Sequence, residues 1–363
     1  MKIVQVQTQA EAAGAQRISD MLGRGLRTRG HEVRTVFMYR KTDVYDRDPF
    51  ADFILTERPR GVLDQMRAVA GLVAYLQKTR PEVVISFQHY GNIFGTFAAR
   101  MAGARHIIAN QSGAPHKSGV MGLLSRIDRL MGSWGIYQQN VVNSAWNQGQ
   151  FAGYPEAYRR RLRRIDHGVT LPERLHDKPA ARAAFGLPPD AWLVVSSGRL
   201  TPAKNQAAIV GALAQLPDIH LALAGAGPDR HALASVAARA GAASRLHLVG
   251  EVPPHRIYEF LAAGDCYAFA SLSETFGLAV VEAAIAGLPV VASDIGILRE
   301  VLINVRGEPA AIFVRPDSSG MAMGISEILA DPALAARLSA AGRELAAEYA
   351  PQAMCAAYEA LFT

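Results

Sequence analysis

The sequence predicts an α/β protein with two doubly wound parallel sheets. Short apolar stretches of strand character alternate with helix-spaced stretches along both halves of the chain, as in parallel sheets whose strands are joined by crossover helices. At 363 residues, the chain is long for one hydrophobic core and suits two domains of about 170 residues. Turn formers and polar residues gather between the two series of strands, at 167–179 (HGVTLPERLHDKP).

The first half opens with an apolar strand and an amphipathic helix. After Gly14, apolar residues recur at helical spacing from Ile18 to Leu26, and a second helix is expected across 93–101. The strands predicted in this half are 2–8, 31–38, 82–87 and 105–110.

The second half restarts the alternation. Its predicted strands are 192–198, 219–225, 246–250, 266–270, 288–293 and 310–314. Pro351 divides the tail into helical stretches at 331–350 and 352–362, because proline removes a donor and clashes with the preceding turn. We therefore predict domains at 1–168 and 169–350, and a terminal helix at 351–363 that returns to the first domain.

Composition favours a globular protein of the cytoplasm. Half of the residues are hydrophobic and 19% are charged, and we see neither an apolar run of about 20 residues nor the zones of a signal peptide. Cys266 and Cys355 lie in apolar surroundings, so we expect buried thiols and no disulfide.

Positive charge is concentrated in the first half. Residues 1–170 carry a net charge of +11 and residues 171–363 one of −5. This asymmetry permits an anionic partner such as a membrane surface, a nucleic acid or an acidic substrate. The densest cluster, five arginines within 159–164, could equally be a solvated helix end that leads to a strand at Ile165.

The stretch 273–282 (SETFGLAVVE) places two carboxylates, Glu274 and Glu282, eight residues apart around Gly277. A helix from Gly277 to Gly287 would present free backbone N–H groups at its start, where phosphate binds well. Eight helical residues span roughly 12 Å, which suits opposite ends of a sugar–diphosphate–ribose unit. The pattern predicts a nucleotide-sugar site.

Cations and glycines follow the neighbouring strands. Arg199 and Lys204 lie in GRLTPAKN, directly after the strand at 192–198, where they could hold a diphosphate or remain surface cations. Gly225 and Gly227 lie in LAGAGPD and could let the backbone approach a nucleotide closely, or form a connection without a ligand.

Candidates for the acceptor side come from the first half. Gly14 opens the first helix and leaves room for a substrate, although tight packing would explain it as well. His89 follows the strand at 82–87 and His116 lies in a polar loop; either could orient an acceptor proton, or be an ordinary surface histidine.

We predict no metal or cofactor. A DxD arrangement after a strand is absent, and DRD at 46–48 lies in a polar stretch. Cationic side chains and helix N–H groups would then stabilise a leaving diphosphate.

These motifs resemble the GT-B glycosyltransferases of retaining family 4, also called glycosyl transferases group 1. The resemblance covers the second half in order, through RAAFGLP, GRLTPAKN, LAGAGPD, LVGEVP, the long stretch at 270–296 and DPALAARLSAAGRE. The first half matches only in outline. The resemblance implies two Rossmann-like domains facing a cleft, with a kinked C-terminal helix that crosses back to the first domain.

The resemblance also implies roles for the site residues. Glu274 would contact donor-sugar hydroxyls and Glu282 the ribose hydroxyls, while Arg199 and Lys204 neutralise the diphosphate. The donor-binding set is completed by residues whose amides or small size suit phosphate and sugar: Thr275, Phe276, Gly277, Leu278, Gly225 and Gly227. The chemistry would be front-face transfer of a sugar, with UDP- or GDP-sugar as the donor.

Departures from the family leave the acceptor open. The first loop reads Ala-Gly-Ala at 13–15 where paired glycines are common, a frequent histidine is replaced within Asn-Gln-Ser-Gly at 110–113, and Ile297 replaces a glycine. We expect a hydroxyl acceptor of bacterial polysaccharide or lipopolysaccharide assembly, lipid-linked or at the inner face of the membrane. The alternatives are a soluble acceptor such as an aminocyclitol, or a catalytically silent nucleotide-binding relative. We expect no nucleic-acid partner, since the basic run lacks interleaved aromatics.

Overall fold

The computed structural model describes residues 1–11, 14–111, 113–115, 118–172 and 176–363. They form two compact units. Unit 1 comprises Met1–Gly168 together with Pro351–Thr363, and unit 2 comprises Val169–Ala350. Each contains one parallel sheet with helices between its strands, which confirms the predicted α/β doubly wound class.

Unit 1 has a seven-stranded sheet in the order β3-β2-β1-β4-β5-β6-β7. Its strands are β1 (Lys2–Ala10), β2 (Glu32–Arg40), β3 (Ala51–Leu55), β4 (Val83–Phe87), β5 (His106–Gln111), β6 (Gln139–Val142) and β7 (Leu162–Arg164). Its helices are α1 (Gly14–Thr28), α2 (Val62–Thr79), α3 (Thr96–Met101), α4 (Gly119–Trp134), α5 (Ala145–Gly149) and α6 (Glu156–Arg159).

The predicted strands of unit 1 are confirmed as β1, β2, β4 and β5, but three further strands were not predicted. The helix expected across 93–101 is a π-helical turn at Gly91–Gly95 followed by α3. The run of arginines does not precede a strand at Ile165: it spans the end of α6 and the short strand β7 itself.

Unit 2 has a six-stranded sheet in the order β10-β9-β8-β11-β12-β13. Its strands are β8 (Trp192–Ser197), β9 (Ile219–Ala224), β10 (Leu246–Gly250), β11 (Cys266–Phe269), β12 (Val290–Ser293) and β13 (Ala311–Val314). The helices of unit 2 are α7 (Lys178–Ala184), α8 (Gln206–Ala212), α9 (Arg230–Arg239), α10 (Ile257–Ala262), α11 (Leu278–Ile285), α12 (Gly296–Val301), α13 (Ser318–Ala330) and α14 (Pro332–Glu348). All six predicted strands of this half are confirmed.

The last helix, α15 (Pro351–Glu359), belongs to unit 1 and packs on α1. The two helices approach so closely that a Cβ on Gly25 would lie 2.2 Å from the Sγ of Cys355. Glu359 accepts hydrogen bonds from Arg29 at 2.6 Å and from His31 at 2.7 Å. The predicted return of the terminal helix to the first half of the chain is therefore confirmed.

The cores explain why these segments form strands. Central strands β4, β8 and β11 are buried at almost every residue, as expected where helices cover both faces of a parallel sheet. Cys266 and Cys355 are buried free thiols, and burial raises the pKa of both. In the described part of the chain, no helix is long and apolar enough to cross a membrane.

Candidate functional site

The predicted donor residues of unit 2 follow three strands that are neighbours in its sheet, β9, β8 and β11. Arg199 and Lys204 follow β8, Gly225 and Gly227 follow β9, and Glu274 follows β11. Carboxyl ends of parallel strands share one edge of the sheet, where ligands of doubly wound folds bind. The fold therefore gathers residues that lie up to 75 positions apart in the sequence.

Lys204 and Glu274 form an ion pair between the Nζ and Oε1 atoms. The lysine side chain is 24% exposed and the glutamate side chain 10%. The Lys204 ammonium also lies 5.8 Å from the ring centroid of Phe269, the last residue of β11. A cation and a carboxylate are thus held together in a largely desolvated position with one accessible side.

Backbone contacts fasten the β8 and β11 loops to one another. The Leu272 N–H donates to the Ala203 carbonyl at 2.9 Å, and the Ser271 hydroxyl donates to the same oxygen at 3.3 Å. Asn205 adopts a left-handed conformation (φ 51°), and its amide donates to the carbonyls of Ala270 at 3.2 Å and Pro316 at 2.8 Å. The position of Lys204 therefore depends on its neighbour Asn205, which sequence reasoning missed although asparagine tolerates this conformation well.

Gly225 and Gly227 let the β9 loop lie directly against the β8 loop. A Cβ on Gly225 would lie 1.9 Å from the Gly198 carbonyl oxygen, and one on Gly227 would lie 2.2 Å from that of Leu200. The Leu200 N–H donates to the Ala226 carbonyl at 2.9 Å. The close approach that these glycines permit is therefore to the protein's own backbone, beside Arg199. Whether they also contact a nucleotide stays a prediction.

Arg199 is exposed, and its backbone carbonyl accepts a hydrogen bond from the Gln206 side chain at 2.9 Å. Among the described residues, its guanidinium has no ion-pair partner, in contrast to that of Lys204. The loop is thus fixed at its backbone while the cation remains accessible to an anion.

Helix α11 begins immediately after Gly277, whose φ of 86° turns the chain into the helix. Because the first amides of a helix have no carbonyl partner within it, the N–H groups near Leu278 point outward from this end. Phe276 is 2% exposed and packs edge-on against Tyr349, at 5.1 Å between ring centroids. Its side chain anchors the turn, while the predicted roles of Thr275 and of the backbone amides remain untested.

Only the residues from Leu278 onward are helical, so the predicted 12 Å span does not apply to the pair Glu274 and Glu282. Glu282 lies inside α11 and is 2% exposed. Burial raises the pKa of the Tyr267 phenol in β11, and the negative charges of Glu282 and Glu274 raise it further. The tyrosine hydroxyl lies 3.0 Å from the Ser197 hydroxyl, so the phenol stays protonated beneath the site.

The acceptor-side candidates lie in unit 1. Gly14 begins α1 and is exposed, and the half-buried His89 follows β4. Since β1 and β4 are adjacent parallel strands, these two residues lie at the same edge of that sheet. His116 lies outside the described residues.

Asn110 and Gln111, at the end of β5, belong to a buried polar network. The Asn110 side chain donates to the Tyr358 hydroxyl, and the Gln111 amide donates to Asp128 at 3.1 Å. Burial raises the pKa of Asp128. These side chains hold the end of β5 against α4 and α15. In the described part of the chain, no three His, Cys, Asp or Glu residues form a group suited to hold a metal ion.

Residues 177–345 match the family described as Glycosyl transferases group 1. A D-inositol 3-phosphate glycosyltransferase of Mycolicibacterium smegmatis is 33% identical over 208 residues, which cover 55% of this chain and 47% of that protein. The lipopolysaccharide core biosynthesis glycosyltransferase LpsD of Rhizobium meliloti is 34% identical over 186 residues, which cover 51% of this chain and 53% of LpsD. The chain spans about half the length of these curated relatives.

A solved structure resembles nearly the whole chain. Alr3699/HepE of Anabaena, in complex with UDP-glucose, superimposes with a TM-score of 0.85 at 19% identity and covers 99% of both chains. At this identity the likeness concerns the fold, which is that of the GT-B glycosyltransferases.

Proposed function

We propose that this chain transfers a sugar from a nucleoside-diphosphate sugar to a hydroxyl acceptor, because residues 177–345 match the glycosyl transferases group 1 family. The observation that carries the proposal is the pairing of Lys204 with Glu274 beside the start of α11. A cation for a diphosphate and a carboxylate for sugar hydroxyls meet there on loops that are fastened together.

The two cations have distinct tasks in this proposal. Arg199 is exposed and offers a forked donor to phosphate oxygens, whereas Lys204 supplies a point charge that is already oriented. The first amides of α11 add donors at a helix end that favours anions. Glu282 would take the ribose hydroxyls. A UDP-sugar is the first donor to test, since the structural neighbour holds UDP-glucose, and a GDP-sugar is the second.

The proposed reaction retains the anomeric configuration. The bond between C1 of the sugar and the diphosphate oxygen breaks, and positive charge develops on the sugar ring. The acceptor hydroxyl attacks C1 on the face that the diphosphate leaves, and its proton passes to the departing phosphate oxygen. Arg199, Lys204 and the helix amides stabilise the negative charge that develops on the leaving group. We propose that these groups suffice without a divalent metal ion.

For the acceptor we propose a hydroxyl group of a cell-envelope glycan, lipid-linked or lipopolysaccharide. The net charge of +11 on residues 1–170 suits an anionic acceptor or membrane surface, and LpsD acts in lipopolysaccharide core biosynthesis. Contact with the inner face of the cytoplasmic membrane belongs to this proposal. A soluble acceptor remains the second candidate.

The proposal is tested by a donor screen in the presence of EDTA. UDP-, GDP-, ADP- and TDP-sugars are compared for thermal stabilisation and for slow hydrolysis, and NMR of the sugar product reads its anomeric configuration. We expect at least one donor to raise Tm without metal, and we expect Lys204→Met to reduce that shift. Activity that EDTA abolishes, with no stabilising donor, would disprove the metal-free donor site. Stabilisation without any turnover or hydrolysis would instead favour a catalytically silent relative.

A further inference from the structure

One face of the sheet in unit 1 is covered by helices with unusually apolar outer surfaces. Right-handed crossovers in the observed strand order place α2, α3 and α4 on the same face, opposite α1. Among the described residues, nine of the sixteen exposed large hydrophobic side chains lie on these three helices. Such a concentration is uncommon on a surface that faces only water.

Helix α4 carries the clearest apolar stripe. Val120, Leu123, Leu130 and Trp134 are 68%, 57%, 47% and 77% exposed. Their spacing of three, seven and four residues places them on one side of the helix. The opposite side is buried and includes Leu124, Asp128 and Gly132. The helix therefore presents an apolar surface on its exposed side, opposite the side that it buries.

The exposed charged side chains on α4 and α3 are all positive. Arg126 and Arg129 are exposed on α4 and Arg100 is exposed on α3. The sole carboxylate on either helix is that of Asp128, which is 4% exposed. An anionic partner would thus meet unopposed positive charge on both helices.

The arginine run at 159–164 extends the positive charge next to α4. The Arg161 guanidinium donates to the Gly132 carbonyl at 2.8 Å, which fixes the run against the end of α4. Arg160 is paired with Glu156 and Arg164 with Asp166, so much of the cluster's charge is neutralised. The exposed Arg159 and Arg163 remain to add to the charge on α4.

We propose that this face, named here the α4 face (Val120, Leu123, Arg126, Arg129, Leu130 and Trp134), docks on an anionic phospholipid bilayer. The apolar side chains would enter the boundary between headgroups and acyl chains, Trp134 would lie at that boundary, and the arginines would contact lipid phosphates. A second copy of the chain is the less suitable occupant, because two such faces would bring arginines together. The inference deepens the proposed function and rests on it for its biological purpose, a lipid-linked acceptor.

The first experiment measures flotation of the whole chain with vesicles, without any donor. Phosphatidylglycerol vesicles should bind the protein and phosphatidylcholine vesicles should bind it weakly. Binding should weaken between about 0.1 M and about 1 M salt, where the Debye length falls from ~10 Å to ~3 Å. Equal binding to both lipids, or none to either, would overturn the proposal. Because stabilisation by a donor is measured separately, the membrane proposal and the donor-site proposal can be refuted independently of one another.

Matched variants locate the contact. Leu123→Ser with Leu130→Ser should weaken vesicle binding at least tenfold, whereas Met323→Ser with Leu329→Ser, equally exposed on α13 in unit 2, should leave it unchanged. If both pairs weaken binding alike, the α4 face is not the contact. If the serine pair on α4 abolishes self-association in the absence of vesicles, a second copy is the occupant and the proposal is wrong.

A charge variant keeps the test valid if the serine pair misfolds. Arg126→Gln with Arg129→Gln should weaken binding to phosphatidylglycerol about 25-fold, at ~5-fold for each arginine near the surface. The control is Arg239→Gln with Arg337→Gln, two exposed arginines of unit 2, which removes the same charge. An equal loss from both pairs would show attraction by net charge alone and would contradict docking through this face.

Discussion

Substitutions of Lys204 and of Glu274 should have different effects on the affinity for UDP. We expect Lys204→Met to weaken the binding of UDP and UDP-glucose alike, because the proposed site places the lysine on the diphosphate that both share. We expect Glu274→Gln to leave UDP binding intact or tighter, because it removes a carboxylate beside that diphosphate. The same change should lower the rate of sugar transfer, since hydroxyl contacts of the donor sugar are lost.

The magnitudes follow from the burial of the pair. Two unit charges about 4 Å apart interact by ~4 kcal/mol at an effective dielectric of ~20. The attraction between Lys204 and the diphosphate is weaker than this, because Lys204 also pairs with Glu274. Lys204→Met should therefore reduce the binding free energy of UDP by about 2 kcal/mol, which is roughly a 30-fold loss of affinity. For the free energy of unfolding, loss of one partner of a buried pair costs ~3–5 kcal/mol. Lys204 is 24% exposed, so we expect about 2 kcal/mol.

The double variant Lys204→Met/Glu274→Gln should recover most of the lost stability, because no unpaired carboxylate remains. Lys178→Met is the matched control, because Lys178 pairs with Asp265 at 2.6 Å. Asp265 lies just before the start of β11, whereas Glu274 lies beyond the end of that strand. Lys178→Met should leave nucleotide binding unchanged. Calorimetry gives both affinities and thermal melting gives stability. If Glu274→Gln weakens UDP binding as much as Lys204→Met does, the division of roles between phosphate and sugar is wrong.

Two further predictions concern stability. Gly225→Ala should lower the free energy of unfolding by about 3–5 kcal/mol and weaken UDP binding, because its Cβ would meet the Gly198 carbonyl at 1.9 Å. The control Gly241→Ala, at φ +62° with nothing within 4 Å, should lower it by only ~1 kcal/mol. Equal melting temperatures for the two variants would contradict this prediction. Burial lowers the pKa of His167 to about 4, below the ~6.5 of an unfolded chain. The unfolded state alone then gains a proton as pH falls, so denaturant unfolding should show ~2 kcal/mol less stability near pH 5 than at pH 7. His167→Gln should remove most of this dependence, and an unchanged slope would refute it.

Most strands of unit 2 were predictable because they are apolar and largely buried, although the edge strand β10 is half-buried along its length. Such strands give nearly continuous apolar stretches, such as IHLALAG at 219–225, and their predicted limits differ from the observed ones by at most two residues. The three strands missed in unit 1 lack that signal. β7 has only three residues, two of them exposed arginines, and β6 begins Gln139-Asn140. Their strand character comes from pairing in the sheet, which the local sequence does not encode.

The residues of the proposed donor site were predictable, but not the contacts that arrange them. Lys204 and Glu274 lie 70 residues apart, and only the adjacency of β8 and β11 brings them together. The glycines of the β9 loop carried a signal that was assigned to ligand approach. The structure shows them admitting the backbone of the β8 loop, and their contact with a nucleotide stays a prediction.

The contacts among these loops explain why candidate site residues are easier to predict from sequence in unit 2 than in unit 1. In unit 2, the β8 loop contacts both the β9 loop and the β11 loop through backbone atoms, so a change in the β8 loop displaces the cations relative to the carboxylate. The residue types in all three loops must then agree, which gives a family signal in several ordered motifs. In unit 1, the end of β5 is occupied by a buried network of Asn110, Gln111 and Asp128. Those side chains are satisfied by the protein's own groups, so they carry information about packing and none about the acceptor.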